Sequence, residues 1–99
     1  MKKKFAFILM GEHYTPEEHQ VCFETGKQLT YIYTVNCFEE AEKLVVRLAE
    51  EGFGAIELCG AFGPERTRKL DEMTGRRLAI GYVVHDPELD ERFSLFFGK

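Results

Sequence analysis

A cysteine and a histidine stand at the ends of two neighbouring apolar segments. Cys59 directly precedes a glycine turn and a helix, where the helix dipole stabilises the thiolate that nucleophilic catalysis needs. His85 ends the next segment and would act as the base, with Asp86 or Glu57 to orient it. Cys59, His85 and Glu57 are therefore candidate catalytic residues of a thiol-dependent enzyme. Cysteine is also among the most often buried residues, so an inert core cysteine is the favoured interpretation.

The segment IELCGAFGPER, residues 56 to 66, contains a second candidate site. Its backbone N–H groups at Gly63, Glu65 and Arg66, helped by the helix dipole, would hold a phosphate or a carboxylate. The segment lacks the lysine of a Walker loop and the third glycine of a dinucleotide-binding fingerprint. The favoured alternative is that the two glycines supply only positive φ angles and helix capping. The candidate ligand-binding residues are Gly60, Ala61, Phe62, Gly63 and Arg66.

Glu57 is a carboxylate inside the most apolar predicted strand, two residues before Cys59 and so on the same face. A buried carboxylate needs a partner. Glu57 would act as a general acid or base, pair with a lysine or arginine of a neighbouring strand or subunit, or face solvent at an edge. The last two roles are together favoured over the first.

Other polar residues predict less. Glu12, His13 and His19 are of the types that bind zinc, but their spacing matches no metal motif, and we expect no metal site. Basic residues outnumber acidic ones between residues 63 and 77. They would extend an anion site through Arg66, although a solvated charged helix face is favoured. These basic residues are Arg66, Arg68, Lys69, Arg76 and Arg77.

Apolar runs and helical periodicity place these residues on alternating strands and helices. Lys4–Met10 is a continuous apolar run, which is typical of a strand covered on both faces. Gly81, inside the last strand, indicates a close packing contact there. Tyr31 and Tyr33 share one side of their strand, where core or subunit packing is favoured over a site. The predicted strands are residues 4–10, 29–35, 54–60 and 78–86, and the predicted helices are residues 15–25, 37–51 and 64–74.

The first predicted helix has a rival interpretation. Thr15, Pro16 and Glu18 form a capping box with proline at the first helical position, which predicts a short helix to about Thr25. The alternating residues of VCFET, residues 21–25, would instead form a strand. Asn36 is the predicted cap of the second helix.

The order of elements from residue 29 to residue 86 predicts a parallel sheet with right-handed crossovers. We therefore expect one α/β domain over residues 1–99, with a mostly parallel sheet of about four strands and helices packed on it. Loops at the carboxyl ends of parallel strands would meet at one rim, formed by residues 11–14, 36–38, 59–63 and 85–86. The apolar tail, residues 87–99, is too rich in large side chains to be free, and we expect it to pack on the sheet or on another subunit.

The bulk properties limit the partners. A net charge of −4 over 99 residues gives no attraction to phosphate backbones, so no nucleic acid partner is expected. Three widely spaced cysteines without a CxxC pair fit neither a disulfide framework nor a zinc site and indicate a reducing cytoplasm. No apolar run approaches the roughly 20 residues of a membrane span, and no membrane association is expected. A chain this small would bury more surface as a homo-oligomer.

Three segments of the chain, AFI, VNCFEEAEKLVVRLAEEG and IELCGAFGPE, also suggest a relationship. On these residues the chain resembles a family of small uncharacterised prokaryotic proteins, a domain of unknown function, with an IELCGGFGP-like signature. The similarity covers residues 3 to about 86. Ala61 stands where that signature has glycine, which would slightly restrict a ligand that approaches the backbone. The resemblance implies a fold and a conspicuous motif but no activity.

These observations lead to three functional hypotheses. The first is a small cytoplasmic protein that binds an anionic small metabolite at the Cys59–Arg66 turn. The alternative is a non-enzymatic homo-oligomeric interaction module, and the third is a thiol-dependent enzyme using Cys59. No cofactor is indicated, and no nucleophile, base and oxyanion donor are jointly specified by spacing, so the sequence assigns no reaction.

Overall fold

The computed structural model, which describes residues 1–98, is built around a central strand, β1 (Lys3–Met10). β1 pairs in parallel with β3 (Gln28–Val35) on one side and with β4 (Ala55–Leu58) on the other. β4 pairs in parallel with β5 (Ala79–Tyr82), and β2 (Val21–Glu24) is an antiparallel edge strand beside β3. The predicted α/β fold with a mostly parallel sheet is confirmed, with five strands in the order β2-β3-β1-β4-β5 rather than about four.

The predicted helix over residues 15–25 is wrong, and the rival strand is correct. Only one turn forms after Thr15, whose carbonyl accepts hydrogen bonds from the N–H groups of Glu18 and His19 at 2.9 Å. Residues 16–20 contain no large aliphatic side chain that a helix could bury, whereas residues 21–24 alternate as a strand does. Thr25 Oγ1 then accepts from the N–H groups of Lys27 and Gln28, a hydroxyl turn that joins β2 to β3.

Helix α1 (Phe38–Glu50) connects β3 to β4, as predicted, but its cap differs. Cys37 occupies the cap position without a side-chain hydrogen bond, and Glu40 Oε1 accepts from the N–H of Asn36 at 2.6 Å. The Asn36 side chain instead donates to the carbonyls of Gly11 and Tyr14. Asn36 was predicted as the cap because asparagine is a common one. Here it fastens the loop after β1 to the end of β3.

Helix α2 (Gly63–Met73) connects β4 to β5, and both helices lie on the same face of the sheet. On β1 and β4 the buried residues occupy alternate positions, as a sheet with one covered face requires. Ala6 and Ile8 of β1, and Ile56 and Leu58 of β4, are fully buried. We call this helix-packed side the covered face. Its helical partners in the core are Ala41, Val45, Leu48 and Leu70.

The last strand is shorter than predicted, and it is followed by a helix that was not predicted. β5 ends at Tyr82, not at Asp86, and a 3₁₀ turn (Pro87–Leu89) leads into helix α3 (Asp90–Phe97). We call residues 87–97 the arm. The close contact predicted at Gly81 is confirmed, because a β-carbon added there would lie 3.0 Å from Cδ of Glu57. Within residues 1–98, no helix combines the length and apolar character that a membrane crossing needs.

Candidate functional site

Loops after four parallel strands meet at one edge of the sheet, the predicted rim. Asn36 contacts the Gly11 and Tyr14 carbonyls, and the Phe38 and Phe62 rings lie edge to face at 6.4 Å. A β-carbon on Gly60 would lie 4.0 Å from Nε2 of His85. The structure therefore brings the segments after β1, β3, β4 and β5 together.

The glycine turn at this rim is shaped mainly by packing. Gly63 has a φ of +71°, which only glycine adopts without strain, whereas Gly60 has no positive φ, contrary to prediction. Phe62 precedes the helix and is buried, with 3% of its surface exposed. Ala61 is exposed. The turn therefore places the Phe62 ring in the core at the point where α2 begins.

The basic residues of α2 mostly interact with the rest of the chain. The Arg66 guanidinium lies 5.3 Å from the Phe38 ring centroid, and Lys69 lies 5.6 Å from the same ring while pairing with Glu42 at 2.9 Å. These contacts join α2 to α1. Beyond the helix end, Arg76 pairs with Asp71 at 3.5 Å, and Arg77 Nε donates to a backbone carbonyl. Arg68 is exposed.

Cys59 is half-buried and lies against the central strand. Its Sγ accepts a hydrogen bond from the N–H of Met10 at 3.3 Å, and its own N–H donates to the Ile8 carbonyl. Within residues 1–98, no hydrogen bond joins Cys59 to His85. The other two cysteines, Cys22 and Cys37, are exposed and free. The thiol therefore connects the ends of β4 and β1.

His85 contacts two residues of the arm and holds it against the rest of the chain. Its Nδ1 lies 3.4 Å from Oδ1 of Asp90, and its ring stacks on Phe93 at 3.7 Å with an interplanar angle of 17°. Neither predicted orienting carboxylate contacts it, because Asp86 accepts from the N–H of Glu88 and Glu57 lies over Gly81. Sequence reasoning missed Asp90 and Phe93 as partners. The five- and eight-residue spacings from His85 gave no signal until the 3₁₀ turn was known.

The acidic and histidine residues of the β1–β2 loop serve local structure. His19 Nδ1 accepts from the N–H of Thr15 at 2.8 Å, and the His13 and Tyr14 rings lie 4.2 Å apart. Among residues 1–98, no three histidine, cysteine or acidic side chains group closely enough to hold a metal ion. Glu12 and His13 are exposed.

Two surface clefts lie away from the glycine turn. The first, of about 550 Å³, is at the amino edge of the sheet and is bordered by Lys2, Lys3 and Lys27. The second, of about 320 Å³, lies between β3, α1 and the preceding loop, and Tyr33 and Arg47 line it. Tyr33 stacks on Tyr31 against the core, and burial raises the pKa of Tyr33 although Arg47 acts in the opposite direction. The two tyrosines therefore pack on the covered face, in agreement with the core packing that the sequence analysis favoured over a site.

The other side of the sheet has no helix on it, and we call it the open face. Its residues are the strand positions that alternate with the core residues. Six of those on β1, β2 and β3 are large, apolar and half-buried or exposed, whereas Thr34 of β3 is buried and donates a hydrogen bond to the His19 carbonyl. No strand residue on this side belongs to the core cluster. The apolar residues of the open face are Phe5, Phe7, Leu9, Val21, Phe23 and Ile32.

The open face changes character across β4 and β5. In the register of the sheet, Ala55 lies between Phe5 of β1 and Ala79 of β5, and Glu57 lies between Phe7 and Gly81. The three small residues in this part of the open face are Ala55, Ala79 and Gly81. They form a shallow trough next to a ridge. Glu57 is half-buried at the side of the trough, where Gly81 leaves room for its carboxylate. Within residues 1–98, Glu57 has no ion pair.

The arm presents a second uncovered apolar surface. Leu95, Phe96 and Phe97 are 76%, 81% and 65% exposed, whereas Phe93 stacks on His85. The molecule is correspondingly long, 42 × 27 × 24 Å, with a radius of gyration of 14.0 Å against about 13 Å for a compact chain of this size. That the tail packs on the sheet or on another subunit stays a prediction, and its helical form was not predicted.

Comparison with known proteins adds a family. A model described as "Family of unknown function (DUF6506)" matches residues 3–98. The match extends through the arm, which lay outside the resemblance predicted from the sequence. Neither a search of curated proteins nor a search of solved structures finds a significant match.

Proposed function

We propose that this protein, which belongs to the Family of unknown function (DUF6506), is a non-enzymatic module that assembles into homo-oligomers through its open face. One observation supports this proposal above the others: among residues 1–98, helices pack on only one face of a mostly parallel sheet. Parallel sheets occur almost always with both faces covered, because their strands are apolar on both sides. The run Lys4–Met10 has that composition.

The size of the uncovered surface also supports assembly. Five strands at about 4.8 Å spacing, each of four to eight residues, give a flat area of roughly 450 Å². The surface of the arm adds to this area, and together they approach the ~800 Å² that each partner contributes to a stable interface. Apolar patches of this extent on small proteins commonly mark interaction sites.

The IELCGAFGP segment has a structural role under this proposal. Leu58 and Phe62 enter the core, Glu57 faces the open side, and Gly63 provides the positive φ at the start of α2. We propose that a signature of this kind in small prokaryotic relatives preserves the same turn. The three free cysteines support a reducing, cytoplasmic location.

Binding of an anionic small molecule at the turn stays a second prediction. The N–H of Gly63 donates to no acceptor among residues 1–98, and Arg66 is nearby. The thiol-enzyme hypothesis has less support, because Cys59 and His85 form no hydrogen-bonded pair in the described chain.

Sedimentation equilibrium of two matched variants tests the assembly proposal. Phe23 and Met73 are both exposed apolar residues, 54% and 42%, but only Phe23 lies on the open face. We expect the parent chain to have twice its 11.5 kDa mass at micromolar concentration. Phe23→Lys would raise the dissociation constant at least tenfold, while Met73→Lys would leave it unchanged. A parent chain that is monomeric at millimolar concentration would refute the proposal.

A further inference from the structure

The open face and the arm are two apolar surfaces of one chain, and neither is covered by the other. The arm's most exposed residues, Leu95 and Phe96, point away from the body, while Phe93 holds the helix against His85. We propose that the arm of one copy lies in the trough on the open face of a second copy, and that the second copy's arm does the same in return. This inference rests on the proposed assembly function and names the contact that produces it.

The shapes of the two surfaces agree. Ala55 and Ala79 give a helix room to approach the sheet beside Phe5, while the Glu57 carboxylate occupies the space over Gly81. α3 is eight residues long, or about 12 Å, which is close to the length of the four-residue strands below it. A flat sheet packed on a second sheet would leave the trough unfilled.

The charges also agree. Arg92 is the arm's basic residue, and Glu57 is the acidic residue of the open face. Covering the open face removes the Glu57 carboxylate from water, so a cationic partner is needed at that moment. Arg92 makes no ion pair among the described residues and is free to be that partner.

The spacing of the arm fits this pairing. Arg92 and Phe96 are four residues apart and therefore lie on the same side of α3, separated by about 6 Å. Along β4, Glu57 and Ala55 are two residues apart, which is about 6.7 Å. With Arg92 at Glu57, Phe96 reaches the small Ala55 beside Phe5. The arrangement is reciprocal, so a two-fold axis relates the copies.

A charge exchange between copies tests the pairing. Glu57→Lys and Arg92→Glu each place like charges together in a homodimer, and we expect each to raise the dissociation constant at least tenfold. An equimolar mixture of the two variants forms a heterodimer in which both contacts again join opposite charges. Its dissociation constant should be within about threefold of the parent's, measured by sedimentation with one variant fluorescently labelled.

Controls separate this inference from the function on which it rests. Arg68→Glu makes the same charge change on an exposed site of α2 and should not affect the dissociation constant. Glu57→Gln and Arg92→Gln, which add no opposing charge, form a double-mutant cycle with an expected coupling of about tenfold. Circular dichroism checks that each variant is folded.

Three results would overturn the inference. If Phe23→Lys dissociates the parent dimer but Arg92→Glu does not, the open face is covered by something other than the arm, and the assembly function stands. If mixing gives no heterodimer while both single variants are folded, Arg92 and Glu57 are not partners. A monomeric parent chain would remove both the inference and the proposed function.

Discussion

The two faces of the sheet contain similar amounts of apolar side chain but differ in what covers them. On β1, Ala6 and Ile8 are fully buried beneath helices, whereas Phe5 and Phe7, at alternating positions, stay half-buried. The covered face therefore stabilises the single chain, and the open face has apolar surface that the single chain does not use. This difference supports the proposed assembly, in which a second copy covers the open face.

The two faces can be compared by making the same substitution at two isoleucines, one on each face. Ile8 is on the covered face and fully buried, and Ile32 is on the open face and half-buried. Ile8→Thr should lower the free energy of unfolding by about 2–4 kcal/mol, because it removes buried apolar contact and adds a buried hydroxyl. Ile32→Thr should cost less than about 1 kcal/mol in dilute solution, where the chain is monomeric. Urea unfolding followed by circular dichroism measures both values.

Protein concentration sharpens this comparison. At concentrations where a second copy covers the open face, binding adds to the stability of the folded state. The cost of Ile32→Thr should then rise with concentration, while the cost of Ile8→Thr stays constant. Equal costs for both substitutions at every concentration would show that the two faces do not differ in what covers them.

Gly81 and Glu57 provide a smaller and more local test of the open face. An added methyl group at Gly81 would collide with the end of the Glu57 side chain, which is flexible enough to swing away. Gly81→Ala should therefore cost less than about 1 kcal/mol. In a Glu57→Ala background the collision is absent, and the same substitution should be stabilising because alanine loses less chain entropy than glycine. Thermal unfolding of the parent chain, the two single variants and the double variant measures this change of sign.

A cost that persists in the Glu57→Ala background would mean that Gly81 is needed for another reason. The same cycle also bears on assembly. Gly81→Ala moves Glu57 and partly fills the trough, so it should weaken the dimer even where it barely affects the monomer.

The sequence predicted the covered face well because periodicity reports burial directly. The spacing of Ala41, Val45 and Leu48 predicted the helix α1, and the apolar run Lys4–Met10 predicted cover on both faces of β1. It could not say what would cover the second face, since composition records that a side chain is apolar and not which molecule meets it. Within residues 1–98 of a single chain, helices cover only one of the two faces.

The sequence failed where local and distant contacts compete. The capping box at Thr15 predicted a helix, but the pairing of residues 21–24 with β3 and the Thr25 turn produced a strand. The loops after β1, β3, β4 and β5 were predicted to meet at one rim, and they do. The partners of His85 were not found, because Asp90 approaches it only after a 3₁₀ turn folds the chain back.

The smallest expected effect concerns the anion site at the glycine turn, which lies at the rim and belongs to neither face. Because Gly63 has a φ of +71°, Gly63→Val would strain the backbone and destabilise the fold with or without a ligand. Arg66→Gln is the better variant, since Arg66 lies over the Phe38 ring and makes no ion pair among the described residues.

Phosphate at 10 mM, with a dissociation constant near 5 mM, would stabilise the parent by about 0.6 kcal/mol, or roughly 3 °C in Tm. Arg66→Gln should lose most of this shift, while Arg68→Gln, an exposed position on the same helix, should keep it. Sodium chloride at equal ionic strength controls for screening. A shift that is equal in all three proteins would come from general salt effects and would leave the turn with its structural role alone. A shift lost only in Arg66→Gln would add a ligand site to the assembly function proposed for the open face.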